Sequence, residues 1–485
     1  MKYHLISLGC QMNLSDTERV RTVMHQMGFT STDNEDEAAI LGIIACSVRQ
    51  KAIDKVYSRI AHWNKIKHRK SLITFVSGCI LPSDREKFLK LFDLVFPMSE
   101  LPELPDMVRQ YGVVTPTSLQ QPESDLVFNE STQTEININT KSVMQNVAVG
   151  SLIKPGVKLN PAAGIDEFWH LEPTYTSDFE AFIPIQNGCD KFCTFCAVPY
   201  TRGREVSRPS SEIMDELHLL VEKGFKSITL LGQNVNSYGL DKSGQEITFP
   251  QLLDQIGRYG QKSGNEFWVY FTSPHPRDMT DDVIEVISKY RVLAKQIHLP
   301  LQSGDDAVLM RMNRKHTMDK YRHIMDTIRR LIPEATVFTD IIVGFTGETD
   351  EQFENTRLAM EAFKYNMAYI AQYSVRPGAA SSRWADDVPK ETKKERYHLL
   401  SAELSKHSLE YNKTLVGKKV RVLVRGRDRK AGYLSALTEG KLVIRFAAEQ
   451  QQLIGRFVDL QIQTATPLSL EGQLVGAEAY QTIIV

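Results

Sequence analysis

Cysteine is scarce in this chain, with six residues in 485. That number is too small to staple a protein of this length, which excludes a disulfide scaffold. In a cytosolic setting, such thiols read instead as ligands or reactive groups. Long apolar runs are missing as well. No stretch of 18 apolar residues occurs, so a membrane-spanning helix is excluded. Met1 to Asn13 reads as a strand and a polar loop, without the apolar core of a signal peptide. A cytoplasmic protein is the expectation. Compositional bias is absent too: 42% hydrophobic and 24% charged residues exclude a disordered or fibrous chain. Roughly three domains are expected at this length.

Net charge is nearly absent, at −1, but its distribution is uneven. From Asn412 to Gly476 there are eleven Lys or Arg against five Asp or Glu, a local +6 that leaves −7 on the rest. A neutral total conceals a basic C-terminal module.

The chain divides into four stretches and a tail. Residues 1–113 alternate apolar runs with helical patterns, the signature of a parallel-sheet α/β domain. The runs are Tyr3–Leu8, Ala39–Ile44 and Leu72–Ser77. Residues 114–177 lack a sustained period and carry several Pro and Gly breakers, so they read as a linker, with a short strand expected near Val147–Ile153. Residues 178–411 contain six strand-like runs, at Ala181–Gln186, Ser227–Leu231, Phe267–Phe271, Gln296–Leu301, Val337–Val343 and Tyr369–Val375. Helical patterns separate them, which predicts a partial (β/α)6 barrel with its chemistry at the carboxyl ends of the strands. Residues 412–476 read as short strands at Lys419–Val424, Gly432–Leu437, Leu442–Phe446 and Phe457–Gln463, a small all-β barrel. Residues 477–485 form a tail.

The cysteines fall at informative places. Gly9-Cys10, Ala45-Cys46 and Gly78-Cys79 each follow one of the three N-terminal strand runs. Open parallel sheets bind ligands at that edge, so three distant cysteines are predicted to converge there. For any one of them alone, a buried small hydrophobe is the competing reading. Cys189, Cys193 and Cys196 have the spacing C-x3-C-x2-C after the first barrel strand. One tight loop can bring three thiolates to three irons of a [4Fe-4S] cube and leave the fourth iron open. A closed zinc site needs a fourth ligand, and the nearest upstream histidine, His170, lies in the linker.

These motifs resemble the radical S-adenosylmethionine (SAM) enzymes, and within them the methylthiotransferase family. The resemblance rests on Gly9-Cys10-Gln11-Met12-Asn13 with Ser15-Asp16, on Cys46-Ser47-Val48-Arg49 with Ala52, and on Gly78-Cys79. Asn187-Gly188-Cys189 through Arg208-Pro209, including Pro199-Tyr200-Thr201-Arg202-Gly203-Arg204, is similar to the tRNA-modifying branch of that family. Leu231-Gly232-Gln233-Asn234-Val235-Asn236-Ser237-Tyr238-Gly239 is similar to the same branch, and the basic end module resembles a TRAM domain. The likeness covers nearly the whole chain except the linker. Two departures stand out. Ile44-Ala45 replaces the Asn-Thr usual before the second cysteine, and Thr346 replaces the proline of a Gly-Phe-Pro-Gly-Glu-Thr turn.

The resemblance implies insertion of a methylthio group at C2 of an N6-isopentenyl-type adenosine next to a tRNA anticodon, with two SAM and two [4Fe-4S] clusters. Cys189, Cys193 and Cys196 would carry the cluster that binds and cleaves SAM. Cys10, Cys46 and Cys79 would carry an auxiliary cluster that delivers methylated sulfur. The adenine C2–H bond is too unreactive for acid–base chemistry, so a cofactor-derived radical is required. Phe195, Gln233, Gln302, Asp340 and Arg376 lie where they could bind SAM or position the base, against an alternative of ordinary structural roles. His275 and His298 read as framework histidines. Lys418, Lys419, Arg421, Arg425, Arg427, Arg429 and Lys430 put seven positive charges in thirteen residues, a surface that could track RNA phosphates. Arg202 and Arg204 are candidate RNA contacts near the cluster loop. The expected partners are a tRNA anticodon stem-loop and an electron donor such as flavodoxin or ferredoxin, with the protein a monomer. The rival readings are methylthiolation of a threonylcarbamoyl-type adenosine or of a ribosomal-protein aspartate, and, from a different class, a non-catalytic iron–sulfur RNA-binding protein.

Overall fold

A computed structural model describes residues 1–47, 50–111 and 164–476. The residues separate into two compact units. The first is Met1–Thr176 together with Gly188–Asp190 and Ala197–Val206; the second is Ser177–Asn187, Lys191–Cys196 and Ser207 onward.

The first unit is a parallel sheet flanked by helices. In chain order it runs β1 (Lys2–Ser7), α1 (Gln11–Gln26), β2 (Thr30–Ser31), β3 (Ile40–Cys46), α2 (Gln50–Lys67), β4 (Ile73–Cys79), α3 (Pro82–Phe88), β5 (Leu94–Val95), α4 (Leu104–Gln110) and α5 (Ile165–Trp169). The strand order is β2-β1-β3-β4-β5, with every pairing parallel. Every residue of β3 and β4 is buried, as expected of central parallel strands covered on both faces. One core contains Val20, Val23 and Met24 of α1 with Leu101, Leu104 and Val108. A second core contains Ile53, Val56, Ile60 and Trp63 of α2 with Phe88. All three N-terminal runs form strands where expected, while the two-residue strands β2 and β5 are too short to leave a periodic signal.

Part of the expected linker belongs to this unit. Ile165, Phe168 and Trp169 of α5 are buried in the first core, and Thr176 donates through its amide and hydroxyl to Glu18 Oε1, at 2.9 and 2.8 Å. Three apolar residues within five positions form one helical turn too short for a periodicity reading to register. The strand expected at Val147–Ile153, the residues Val48 and Arg49, and the tail 477–485 lie outside the described residues.

The second unit starts with β6 (Glu180–Pro184) and β7 (Gln186–Asn187). A short helix of the first unit, α6 (Val198–Arg202), and then β8 (Val206–Ser207) follow in sequence. The unit resumes with α7 (Ser210–Glu222), β9 (Ser227–Leu231), α8 (Phe249–Ser263), β10 (Trp268–Phe271), α9 (Asp281–Lys289), β11 (Gln296–His298), α10 (Asp306–Arg311), α11 (Met318–Leu331), β12 (Thr336–Val343), α12 (Asp350–Phe363), β13 (Met367–Gln372) and α13 (Lys390–Lys413). Six strands occupy the six runs read from the sequence. They form two three-stranded parallel sheets, β10-β9-β6 and β11-β12-β13, which adjoin along β10 and β11. The helix starts have local causes: Asp305 caps α10, Thr317 caps α11, and Thr349 with Gln352 forms a capping box on α12.

The chain ends in a closed barrel of β14 (Lys419–Arg427), β15 (Tyr433–Thr438), β16 (Val443–Ala447), β17 (Phe457–Ala465) and β18 (Leu470–Leu474), in the order β14-β15-β16-β18-β17. The sequence reading found four of these strands. The fifth, Leu-Glu-Gly-Gln-Leu, has little apolar alternation, yet it closes the barrel by pairing parallel to β16 and antiparallel to β17.

The barrel is docked within its unit. Phe457 and Leu423 share a buried cluster with Trp268, Tyr270 and Ala294, and the Trp268 and Phe457 rings meet edge to face at 4.6 Å. Arg421 forms a two-point pair with Glu266 (2.9 and 2.7 Å), and Arg425 pairs with Glu180. Two of the seven basic residues expected to track phosphate are therefore engaged with Glu266, just before β10, and Glu180 of β6.

Candidate active site

Cys10, Cys46 and Cys79 are positioned by the ends of three elements of the first unit. Cys46 and Cys79 are the last residues of β3 and β4 and are direct partners in the parallel register, with Ala45 opposite Gly78. Gly78 has φ +99°, and a Cβ there would lie 2.6 Å from the Ala45 carbonyl oxygen. Glycine thus permits the strands to end side by side. Cys10 is the N-cap residue of α1. Gly9 passes so close to Cys46 that an added Cβ would sit 2.8 Å from the Cys46 Cβ. Asn13 locks the corner: its amide donates to the Ala45 carbonyl at 2.6 Å, and its Oδ1 accepts from the Cys10 thiol at 3.3 Å. The predicted convergence of three distant cysteines is what this unit builds.

Arg202 completes the corner, and its position corrects the sequence reading. It was expected at an RNA surface, but it is only 6% exposed. Its Nε donates to Cys79 Sγ at 2.9 Å, and its terminal nitrogens pair with Asp16, which is fully buried. Burial pushes the Cys79 thiol up to about 12; Arg202 acts to lower it, while Cys46, Cys10 and Asp16 add to the rise. Burial opposes the Arg202 charge, but Asp16 and Cys79 outweigh it and hold the guanidinium well above its ordinary value. A thiolate here needs positive charge beside it; Arg202 supplies it, and a bound iron would add to it.

The loop from Gly188 to Cys196 carries the other three cysteines. In the first unit, Gly188 has φ +80°, and a Cβ there would meet the Arg204 carbonyl oxygen at 1.9 Å. The Cys189 amide donates to the Gly203 carbonyl at 3.1 Å. Asp190 takes both Arg204 Nε (2.7 Å) and Nη2 (2.9 Å), so the exposed Arg204 side chain braces the loop.

In the second unit, Lys191 pairs with Asp278 at 2.6 Å. Asn313 donates to the carbonyls of Phe192 and Lys191, and the Thr194 amide and hydroxyl donate to the carbonyls of Met312 and Arg311. Arg314 Nη1 lies 3.5 Å from Cys193 Sγ. Cys189 and Cys193 are buried and Cys196 is partly exposed. Phe195 is partly buried and packs against Phe345 (6.5 Å, edge to face) and the Val308–Met312–Tyr373 cluster.

Both cysteine sets suit a four-iron cluster by their chemistry. No group of three His, Cys, Asp or Glu side chains among the described residues is gathered to hold a single metal ion. A cube takes one thiolate per iron, and each set offers three sulfur donors.

The strand ends of the barrel supply polar groups. Gln302 adopts φ +71°, and its amide donates to the Asp340 carbonyl at 2.8 Å. Its Oε1 is buried without a hydrogen-bond partner among the described residues. The same holds for Asn234 Oδ1, His275 Nε2, His316 Nε2 and Arg314 Nε, which follow β9, β10 and β11 in sequence. Buried polar atoms carry a large cost unless something pairs with them, so Gln302, Asn234 and His275 beyond the strand ends, and Arg314 and His316 between α10 and α11, fit a polar ligand. Asn234 lies in the Leu231–Gly239 motif but was not singled out as a candidate; Arg314 and His316 were missed by the sequence reading, which had no pattern to separate them from framework residues.

His316 is pushed down to about 3 by burial and by Arg314, and His275 is pushed down by burial, Arg314 and His316. Both are neutral donors or acceptors. Asp340 accepts a 2.9 Å hydrogen bond from His298, whereas Gln233 and Arg376 sit in the loops after β9 and β13. On the small barrel, Lys419 pairs with Asp459, and Lys430 lies 3.7 Å over the Tyr433 ring. Lys418, Arg427 and Arg429 are exposed and carry no ion pair among the described residues.

Comparison with known proteins accords with this arrangement. Residues 183–359 match the radical SAM superfamily, residues 2–97 match a family described as uncharacterized protein family UPF0004, and residues 413–475 match the TRAM domain. A protein of Marinomonas sp. (strain MWYL1) is 35% identical over 479 residues, covering 97% of this chain and 96% of its own. One from Parabacteroides distasonis is also 35% identical, covering 98% and 95%, and one from Acetivibrio thermocellus is 34% identical, covering 98% and 91%. Among solved structures, the radical SAM methyltransferase TsrM from Kitasatospora setae shares the fold, with a TM-score of 0.50 and 12% identity over 90% of this chain and 80% of that one. All three sequence relatives bear one name, and with near-complete mutual coverage this chain belongs to the radical SAM family of the tRNA-2-methylthio-N(6)-dimethylallyladenosine synthases.

Proposed function

We propose that this chain is a methylthiotransferase that replaces the C2 hydrogen of an N6-isopentenyl-type adenosine, next to a tRNA anticodon, with a methylthio group. It uses two SAM and two [4Fe-4S] clusters. The observation that carries this reading is the division of all six cysteines into two sets of three, one at the end of a parallel sheet and one in a braced loop. When bound, the clusters and SAM supply the radical that removes an unreactive hydrogen and the methylated sulfur that replaces it.

The protein's own part is holding and orienting. Cys10, Cys46 and Cys79 would hold one cluster and Cys189, Cys193 and Cys196 the other; three thiolates are one fewer than the four irons of a cube, so each cluster would have room for a further ligand. Gln302, Asn234, His275 and His316 offer buried polar atoms to SAM or the target base, with Gln233, Asp340 and Arg376 near the same strand ends. Lys418, Arg427 and Arg429 present positive charge to phosphates, with Lys419 and Lys430, ion-paired to Asp459 and Glu471 but exposed, beside them. A single-stranded anticodon loop allows the base to be extruded at low cost. A small electron carrier such as flavodoxin or ferredoxin supplies the electrons, and the protein acts as a monomer in the cytoplasm. No helix among the described residues is long and apolar enough to cross a membrane.

The test is mass spectrometry of tRNA nucleosides from cells lacking this gene, complemented with the wild type, Cys193→Ala or Cys79→Ala. Methylthiolated isopentenyladenosine is expected with the wild type alone. Its persistence with either variant refutes the assignment of that site, and its absence with the wild type refutes the substrate.

A further inference from the structure

Arg202 stands thirteen residues after Cys189 in sequence, yet its side chain lies in the corner that carries Cys10, Cys46 and Cys79. Its fork is fixed from one side: both terminal nitrogens face the Asp16 carboxylate, and Asp16 belongs to α1, whose N-cap is Cys10. Its Nε then has one direction left, toward Cys79 Sγ at 2.9 Å. The next residue, Gly203, has φ +77° and turns its carbonyl to the Cys189 amide at 3.1 Å. Two successive residues therefore each hold a cysteine of a different set.

We propose that Arg202 is a positioning residue of the auxiliary cluster, its Nε–H aimed by Asp16 to hold the Cys79 thiolate and to stabilise the reduced cluster. This rests on the reading of Cys10, Cys46 and Cys79 as cluster ligands. Reduction places more negative charge on the cysteinyl sulfurs, so a fixed donor stabilises the reduced form more than the oxidised one and raises the potential. Asp16 neutralises the guanidinium at short range, so the directed N–H acts here rather than bulk positive charge. Lysine cannot substitute. It can answer Asp16, but it has no N–H at the Nε position and no rigid fork.

The experiment uses the full chain with Cys189, Cys193 and Cys196 changed to Ala, so that the auxiliary cluster alone assembles, reconstituted anaerobically. Iron content and a potentiometric titration followed by electron paramagnetic resonance are the readouts. Arg202→Lys and the double variant Arg202→Met/Asp16→Asn are compared with that parent. The double variant leaves no unpaired buried charge and so guards against simple misfolding.

About four irons per chain are expected in the parent. Both variants are expected to shift the one-electron equilibrium at least tenfold toward the oxidised form, about 59 mV to lower potential. Loss of iron from both variants with an unchanged melting curve supports the same role. A parent-like potential in either variant overturns it, and full rescue by lysine in particular would replace directed donation with simple charge. A parent that binds no iron refutes the cluster reading beneath the proposal, an outcome distinct from a cluster that forms and ignores Arg202.

Discussion

Docking of the C-terminal barrel makes a quantitative prediction. Phe457 is 8% exposed and meets Trp268 edge to face at 4.6 Å, with Leu423, Tyr270 and Ala294 around them. Phe457→Ala removes a nearly fully buried ring from a seam, where such truncations cost about 3–5 kcal/mol. The ring pair itself accounts for about 0.5–1.5 kcal/mol of this. The Arg421–Glu266 and Arg425–Glu180 pairs are substantially exposed and add about 0–1 kcal/mol each, too little to hold the barrel alone. Native-state hydrogen exchange on the amides of β14 reads the local opening free energy directly. A drop of about 3–5 kcal/mol is expected for Phe457→Ala. A Trp268→Ala/Phe457→Ala cycle should show a coupling of about 0.5–1.5 kcal/mol. Exchange unchanged in Phe457→Ala, or strictly additive single variants, would refute the claim that this ring pair seats the barrel. The same variant should weaken tRNA binding while RNA-independent SAM cleavage persists.

Further outcomes are expected. Lys418→Glu/Arg427→Glu/Arg429→Glu should weaken tRNA binding and flatten its salt dependence by about 2 to 3 units of slope, measured by titration over salt; Arg421→Gln should change that slope little, because its charge is engaged with Glu266. Gly188→Ala forces a Cβ to within 1.9 Å of the Arg204 carbonyl at φ +80°; iron analysis should find about four irons instead of about eight, and full iron loading would refute the role assigned to that turn. His316 is held neutral, with its value pushed down to about 3. The unfolded chain therefore binds the extra proton first, and the stability that His316 contributes is complete above about pH 6.5 and lost progressively as the pH falls toward 3. A His316→Gln variant should show a shallower acid-side loss in denaturation followed from about pH 7 to 4.

The fold was largely legible because its strands are separated by strong local patterns. The six barrel runs and the three N-terminal runs each pair an apolar stretch with a turn, and each became a strand. Elements lacking that signal escaped. The two-residue strands β2 and β5 are too short, β18 carries polar residues at its centre, and α5 spans a single apolar turn. The candidate site divided the same way. The cysteines announced themselves by strand position and spacing, whereas Arg314 and His316 are ordinary residues until their burial leaves polar atoms without a partner among the described residues.

What the sequence determined by itself was the allocation of its few cysteines: three at separate strand ends, three in one loop. Strand ends follow from hydrophobic pattern and turn residues, and sulfur chemistry follows from spacing, both of them local properties. The tertiary structure decided where the arginines work. Arg202 lies buried against the Cys79 thiol and Asp16, and Arg421 and Arg425 pair with Glu266 and Glu180. A sequence counts charges, but the counter-charge of a long flexible side chain is set by what folding brings within hydrogen-bond reach, and each of those partners comes from a distant part of the chain.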